Sequence, residues 1–361
     1  MNGKWKGLAL LAATTLLAAG CSTQGNAQSP KTVVINEDVQ FESSLADSSL
    51  ELSRQEDVQI GDRFTFGMFH GQQLYYNKDG ELYSFDIQYE EDTKIASVEI
   101  RELSEDGSHG LSYEQDELLI HNLKTGESKT MEGGSPEQLY FANPAGTEVF
   151  QFEMKPDAQI VNLIQIDTGE TTTWDLSSIE DYSISYIKKM GDKIVIPARP
   201  TKGMYGIYQL TDQGTIEMIE GFNEKAANIN DFHFLENGTI LFEGNYDEQD
   251  GIFLLNRETD QVQLLVAGGE DSEGKWIPSY NLSPDEKKIM FGTPVQVDGE
   301  FKANVYMGEL VDGKLTNSVR ILEHVDINAV ISYSGSWSED SKTAYVATNE
   351  NGGSVAVFAV K

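Results

Sequence analysis

The sequence predicts an all-β fold: a β-propeller of about seven four-stranded blades, with six or eight as alternatives, closed by an N-terminal strand. Three observations predict it. Short runs alternate apolar and polar residues between Gly, Asn and Asp turns. One strand–turn–strand unit recurs from about Gly61 to the end, and past the leader no stretch of twelve or more residues keeps a helical period. The recurrent part, about 300 residues, divides into seven units of about 43, close to the roughly 40–45 residues of a four-stranded blade.

The elements follow in chain order. Residues 1–20 have the parts of an export signal: a positive start at Lys4 and Lys6, then the uncharged run GLALLAATTLLAAG ending in small residues. The run is shorter than the roughly 20 apolar residues that span a bilayer, which favours a cleaved signal over a permanent helix. Its end, Leu17-Ala18-Ala19-Gly20-Cys21, resembles the lipobox of bacterial lipoproteins. The family's Leu three positions before the cysteine is Ala18 here, with Leu17 one step further back. The resemblance implies cleavage before Cys21, a diacylglyceryl group on its sulfur, and a domain held at the outer side of the cell membrane. Two acyl chains suffice for stable anchoring, since each buried methylene contributes about 0.8 kcal/mol.

Residues 21–31 then read as a lipidated polar tether, and 32–361 as the propeller. Within it, 32–60 is a lead-in whose Thr32-Val33-Val34-Ile35 is the expected closing strand, and the blades occupy 61–361. A ring of blades leaves two edges, and an N-terminal strand added to the last blade joins them. The last unit, ending in Ser354-Val355-Ala356-Val357-Phe358-Ala359-Val360, lacks its outermost strand. Blade starts fall near 62, 96, 134, 178, 223, 270 and 326.

The repeats line up on two kinds of turn. One set reads LSEDGSHGLSY (103–113), ANPAGTEVFQF (142–152), FLENGTILFEG (234–244), LSPDEKKIMFG (282–292) and WSEDSKTAYVA (337–347). The other is a hairpin such as Lys124-Thr125-Gly126-Glu127 or Asp167-Thr168-Gly169-Glu170, with Gly where φ must be positive. Leu282-Ser283-Pro284-Asp285 through Phe291 resembles the blade motif of TolB-like propellers, and Trp337-Ser338-Glu339-Asp340 echoes it. That resemblance implies a fold and structural Ser-x-Asp turns; it assigns no function.

The whole chain has 26 Lys+Arg and 59 Asp+Glu; removal of Lys4 and Lys6 leaves 24 against 59, a charge of −35. A surface so acidic repels phosphate backbones and anionic lipid heads, which argues against nucleic-acid partners and against membrane contact beyond the lipid. Cys21 is the single cysteine, so no disulfide, thiol nucleophile or cysteine-held metal is expected. Phosphate loops and the GxSxG and HExxH motifs are absent, and no cofactor is expected. Histidines 70, 109, 121, 233 and 324 show no ligand spacing. Asn245–Gly251 is acid-rich but departs from a calcium loop and reads as a hairpin turn. No catalytic residue is assigned.

The expected function is a non-catalytic, monomeric scaffold that binds a protein, peptide or wall polymer through propeller loops. Its expected contacts lie in 197–205 and 270–280, with Arg199, Tyr205 and Trp276 as anchor-type residues. The alternative is a glycan-directed hydrolase or lyase using channel carboxylates.

Overall fold

The computed structural model describes residues 50–61, 63, 68–114, 117–131, 139–155, 158–177, 179–182, 187–200, 204–211, 215–222, 225–271, 274–326, 330–348 and 352–361. Cys21 and Thr32–Ile35 lie outside these residues.

Alternating strands of this kind bury one face each, and seven antiparallel sheets result: a seven-blade propeller. Blades 1 to 6 occupy 68–96, 102–131, 139–175, 179–221, 226–267 and 280–326, and blade 7 occupies 330–360. Each is four-stranded in simple up-and-down order. In blade 4 the first position is shared by two short strands, Ile179–Tyr182 and Lys188–Met190, both paired to Lys193–Pro200. The first strands form the hub: Val330–Trp337 of blade 7 lies against both Met68–His70 of blade 1 and Tyr280–Leu282 of blade 6.

Blade 7 is closed from the N-terminal side. The strand that does so is Leu52–Gln59, paired antiparallel to Ser354–Val360 from Leu52↔Val360 to Gln59↔Ser354. The expected closing position at 32–35 is thus corrected to 52–59. At a blade's outer edge a strand needs main-chain partners more than apolar side chains, and Val58 is the one buried residue of Leu52–Gln59. The blade 6 boundary also moves, because a separate hairpin, Gly269–Asp271 with Gly274–Trp276, precedes the first strand of that blade.

The Ser-x-Asp turns are structural, as their chemistry predicts. Ser104, Ser283 and Ser338 each accept the main-chain N–H five residues on, at 2.8–2.9 Å, and each donates its hydroxyl to the Asp two residues on, at 2.6–2.9 Å. The turns also bond to the next blade: Asp106 N–H to Pro144 O at 2.9 Å, and Asp285 N–H to Ser341 Oγ at 3.0 Å. Gly126 and Gly169 take the positive φ expected of them, 75° and 73°. Asn245–Gly251 is a tight hairpin with Asp247 and Glu248 at φ 54° and 64°, the primed-turn geometry that suits twisted strands.

Six of the seven joints between neighbouring blades contain an apolar cluster: 2–3, 3–4, 4–5, 5–6, 6–7 and 7–1. Among the described residues no such cluster bridges blades 1 and 2.

Candidate functional site

The densest group of perturbed polar side chains lies where blades 4, 5 and 6 meet. Strand alternation builds it. Asp231 and His233 stand two apart on Ala226–Phe234, so they share a face, and the register sets Asp231 opposite Glu243 and His233 opposite Leu241 on Thr239–Tyr246. Lys188 reaches in from the hub of blade 4, and Ser279 and Tyr280 from that of blade 6.

Lys188 Nζ donates to the Asp231 carboxylate and, at 2.8 Å, to Phe232 O. The ammonium also sits 5.1 Å from the centre of the Phe232 ring, a cation–π distance. His233 Nδ1 and the Tyr280 hydroxyl are 2.8 Å apart, and that hydroxyl lies 3.4 Å from Leu241 O. Glu243, only 7% exposed, has Ser279 Oγ at 3.5 Å.

Burial dominates the electrostatics. It pushes the Glu243 carboxyl up to about 8, with the nearby Asp231 charge adding to the rise, so Glu243 is largely protonated at neutral pH. Burial, reinforced by Lys188, takes His233 down to about 4 and leaves it neutral. Tyr280 is held well above the usual phenol range by burial and by Asp231 and Glu243. The group therefore combines a neutral carboxylic acid, a second carboxylate paired to an ammonium, and a neutral imidazole. Asp231, Lys188, His233 and Tyr280 are half-buried, and Glu243 is the buried member.

Of the anchor-type residues read from the sequence, Arg199 and Tyr205 flank the Ala198↔Gly206 pair at one end of blade 4, and Trp276 lies on the separate hairpin before blade 6. Arg199 is exposed near the end of Lys193–Pro200, with Asp181 opposite in the register. Tyr205 is 3% exposed, in the apolar cluster shared by blades 4 and 5, and Trp276 is 8% exposed on the extra hairpin. Both are packed in this conformation. The segment 197–205 nonetheless carries an exposed feature. Met204 and Met218, 38% and 53% exposed, both close over Gly221, their sulfurs 2.9 and 3.2 Å from where a Cβ would sit. Gly221 pairs Gly206, which pairs Ala198 beside Arg199, so the thioethers and the guanidinium-bearing residue share one end of blade 4. Among the described residues no three His, Cys, Asp or Glu side chains converge as a metal site.

No family model and no curated protein matches the chain. Solved structures do. The chain is similar to a structure described as the mitotic checkpoint complex (11% identity, 99% of each chain, TM-score 0.50). It is also similar to the AfRom2 CNH domain (12% identity, 86% of this chain and 99% of that one, TM-score 0.51). TolB from Acinetobacter baumannii is a more distant neighbour (13% identity, 93% and 88% covered, TM-score 0.41). Likeness at such identities shows the propeller fold and nothing finer.

Proposed function

We propose that this protein is a lipid-anchored extracytoplasmic lipoprotein whose propeller is a non-catalytic scaffold binding a protein, peptide or wall polymer. The observation that carries the binding reading is the blade 4 patch. Five large apolar side chains are exposed among the described residues, and two of them, Met204 and Met218, are neighbours. Methionine suits adaptable contacts, and a ring locked by turn-to-turn hydrogen bonds presents such a patch without ordering cost. The anchor rests on the lipobox resemblance at Cys21.

Two experiments test this. Growth with an alkyne-tagged fatty acid labels the wild type and leaves Cys21→Ala unlabelled; label retained in the variant removes the anchor from the proposal. Crosslinking in intact cells then recovers a reproducible partner from wild type and loses it from the Met204→Glu/Met218→Glu double variant. Recovery of the same partner from both, or of none, overturns the patch.

The glycan-directed reading is favoured by one observation, the buried Glu243, raised to about 8 and set opposite Asp231 in the register, since a carboxyl group kept protonated can serve as the acid of a carboxyl pair. Release of reducing ends from a glycan panel, lost in Asp231→Asn, would support it.

A further inference from the structure

The joint between blades 1 and 2 differs from the other six in what fills it. Blade 1 turns Tyr75, Asn77, Leu82 and Ser84 toward blade 2, since the opposite parity, Leu74, Tyr76, Tyr83 and Phe85, packs with blade 7. Blade 2 answers with Gly110, Ser112, Leu119, His121 and Ser128, its larger apolar residues Leu111, Leu118, Ile120 and Met131 facing blade 3. The inner part is pinned tightly. Asn77 Nδ2 donates to Ile100 O at 2.6 Å and its Oδ1 accepts Ile100 N–H at 3.0 Å, while Ile100 packs over Gly110, its methyls 2.8 Å from where a Cβ would sit.

Further out the joint is open. A cleft of about 630 Å³ runs between residues 94–98 on one wall and the Leu119–Ser128 hairpin region on the other. That volume is within the roughly 300–1,000 Å³ of pockets that engulf small ligands. Ile95, Val98, Leu119 and Leu123 give apolar wall; His121, 8% exposed, gives a polar floor. The imidazole is fixed there by two hydroxyls, Ser112 Oγ 2.6 Å from Nε2 and Ser128 Oγ 2.7 Å from Nδ1.

Two features select the occupant. Among the described residues the strand Glu91–Ala96 pairs on one side, with Glu81–Asp86, so its other edge is an outer edge of the blade beside the cleft. Five consecutive residues, 94–98, line the cleft: the end of that strand and the bend that follows it. The charge is the second feature. In a chain with 59 acids, no Asp or Glu is among the described residues that line the cleft, and the charged residue among them is Lys94, at 2.5 Å from Glu81. A basic side chain entering it meets the Lys94–Glu81 ion pair and no acid among those lining residues.

We propose that this cleft is a docking site for an extended peptide segment of a partner. The segment adds beside Glu91–Ala96 and places uncharged aliphatic side chains, two residues apart, against Ile95, Val98, Leu119 and Leu123. The incoming side chains supply the apolar filling that the other joints carry within the chain. The inference deepens the scaffold reading and rests on it, but uses a different pair of blades from the Met204–Met218 patch.

The probe is a fluorescein-labelled, end-blocked Thr-Val-Thr-Val-Thr-Val peptide, titrated against the full chain by fluorescence polarisation. Saturable one-to-one binding is expected. It weakens by about tenfold or more when alternate peptide nitrogens are methylated, which removes main-chain pairing, and when Val is replaced by Lys. Ala96→Phe, which fills the cleft, has the same effect. Ser97→Trp, at an exposed lining position, gives a second cleft variant if the first unfolds, as read by circular dichroism. Absence of saturable binding, equal binding of the methylated peptide, or binding unchanged in both folded variants overturns the site. Met204→Glu/Met218→Glu leaves peptide binding unchanged, so failure here and failure of the blade 4 patch are separate results.

Discussion

Blade 1 has two neighbours and meets them in opposite ways. Toward blade 7 it presents Leu74, Tyr76 and Phe85, which join Val58, Ile60, Val355 and Val357 in one apolar cluster. Toward blade 2 the same two strands present Tyr75, Asn77, Leu82 and Ser84. A shift of one residue along a strand decides which material faces which joint. The ring-closing joint, where the chain's two ends must be held, is apolar. The joint next to it is polar, pinned near the hub by Asn77 and open outside. The apolar filling is the rule around the ring, at the closing joint and at five joints between consecutive blades, and the joint between blades 1 and 2 departs from it.

The largest expected effect breaks the apolar side. Phe85→Ala removes a ring that is almost fully buried between blades 7 and 1 and should cost about 3–5 kcal/mol in denaturant unfolding. A cost below about 1 kcal/mol would mean that ring closure does not depend on this cluster. On the polar side, Gly110→Val drives a side chain into Ile100 and should cost about 1–3 kcal/mol. It should also speed hydrogen exchange at Ile100 N–H, whose partner is Asn77, while exchange in blade 7 stays as in wild type.

The cluster of blades 4 to 6 adds a pH dependence. Glu243 is raised to about 8 in the folded protein from an ordinary 4.5, so the folded state holds a proton there that the unfolded state has lost. Its contribution to stability therefore falls as pH rises from about 4.5 to 8. His233 is lowered to about 4 from 6.5; the unfolded state binds the extra proton, and stability falls as pH drops from 6.5 to 4. The two slopes oppose each other between 4.5 and 6.5, and above 6.5 the Glu243 slope stands alone. Glu243→Gln should flatten the loss between pH 6.5 and 8 and gain roughly 1–2 kcal/mol over wild type at pH 8.5. An unchanged slope in thermal melts across that range would refute the assignment.

What was legible in the sequence was local. The Ser104, Ser283 and Ser338 turns announce themselves because each is made of residues within five positions, and repeating turns fix the blade count. The closing strand was not legible: Leu52–Gln59, LSRQEDVQ, carries five exposed polar residues in a row, while Thr-Val-Val-Ile at 32–35 has the composition of a strand. Edge position, not side-chain pattern, made the difference. Tyr205 and Trp276 show the converse limit, since aromatic size marks a packing residue and a binding anchor equally. The Lys188–Asp231–His233–Glu243–Tyr280 group escaped because its members are spread over 93 positions and three blades. The available signal was Glu243 within TILFEGNY, a carboxyl group directly after the apolar run Ile240-Leu241-Phe242.

The smallest expected effect sharpens the comparison most. Ser112, 1% exposed, holds His121 Nε2 at 2.6 Å in the polar joint. Ser112→Ala deletes one hydroxyl without changing the fold of the strand and removes one hydrogen bond from the buried imidazole, at a cost of about 1–2 kcal/mol. Ser112→Ala together with His121→Leu replaces both partners by apolar groups, and that pair should recover most of the loss. If the double variant matches wild type in stability, the polar network contributes no net stabilisation to the joint, and the cleft's floor is retained for what docks on it. If the double variant is instead worse than the single by about 1 kcal/mol or more, the hydroxyl–imidazole chain, which runs across three strands of blade 2, itself stabilises the face that blade 2 turns to blade 1.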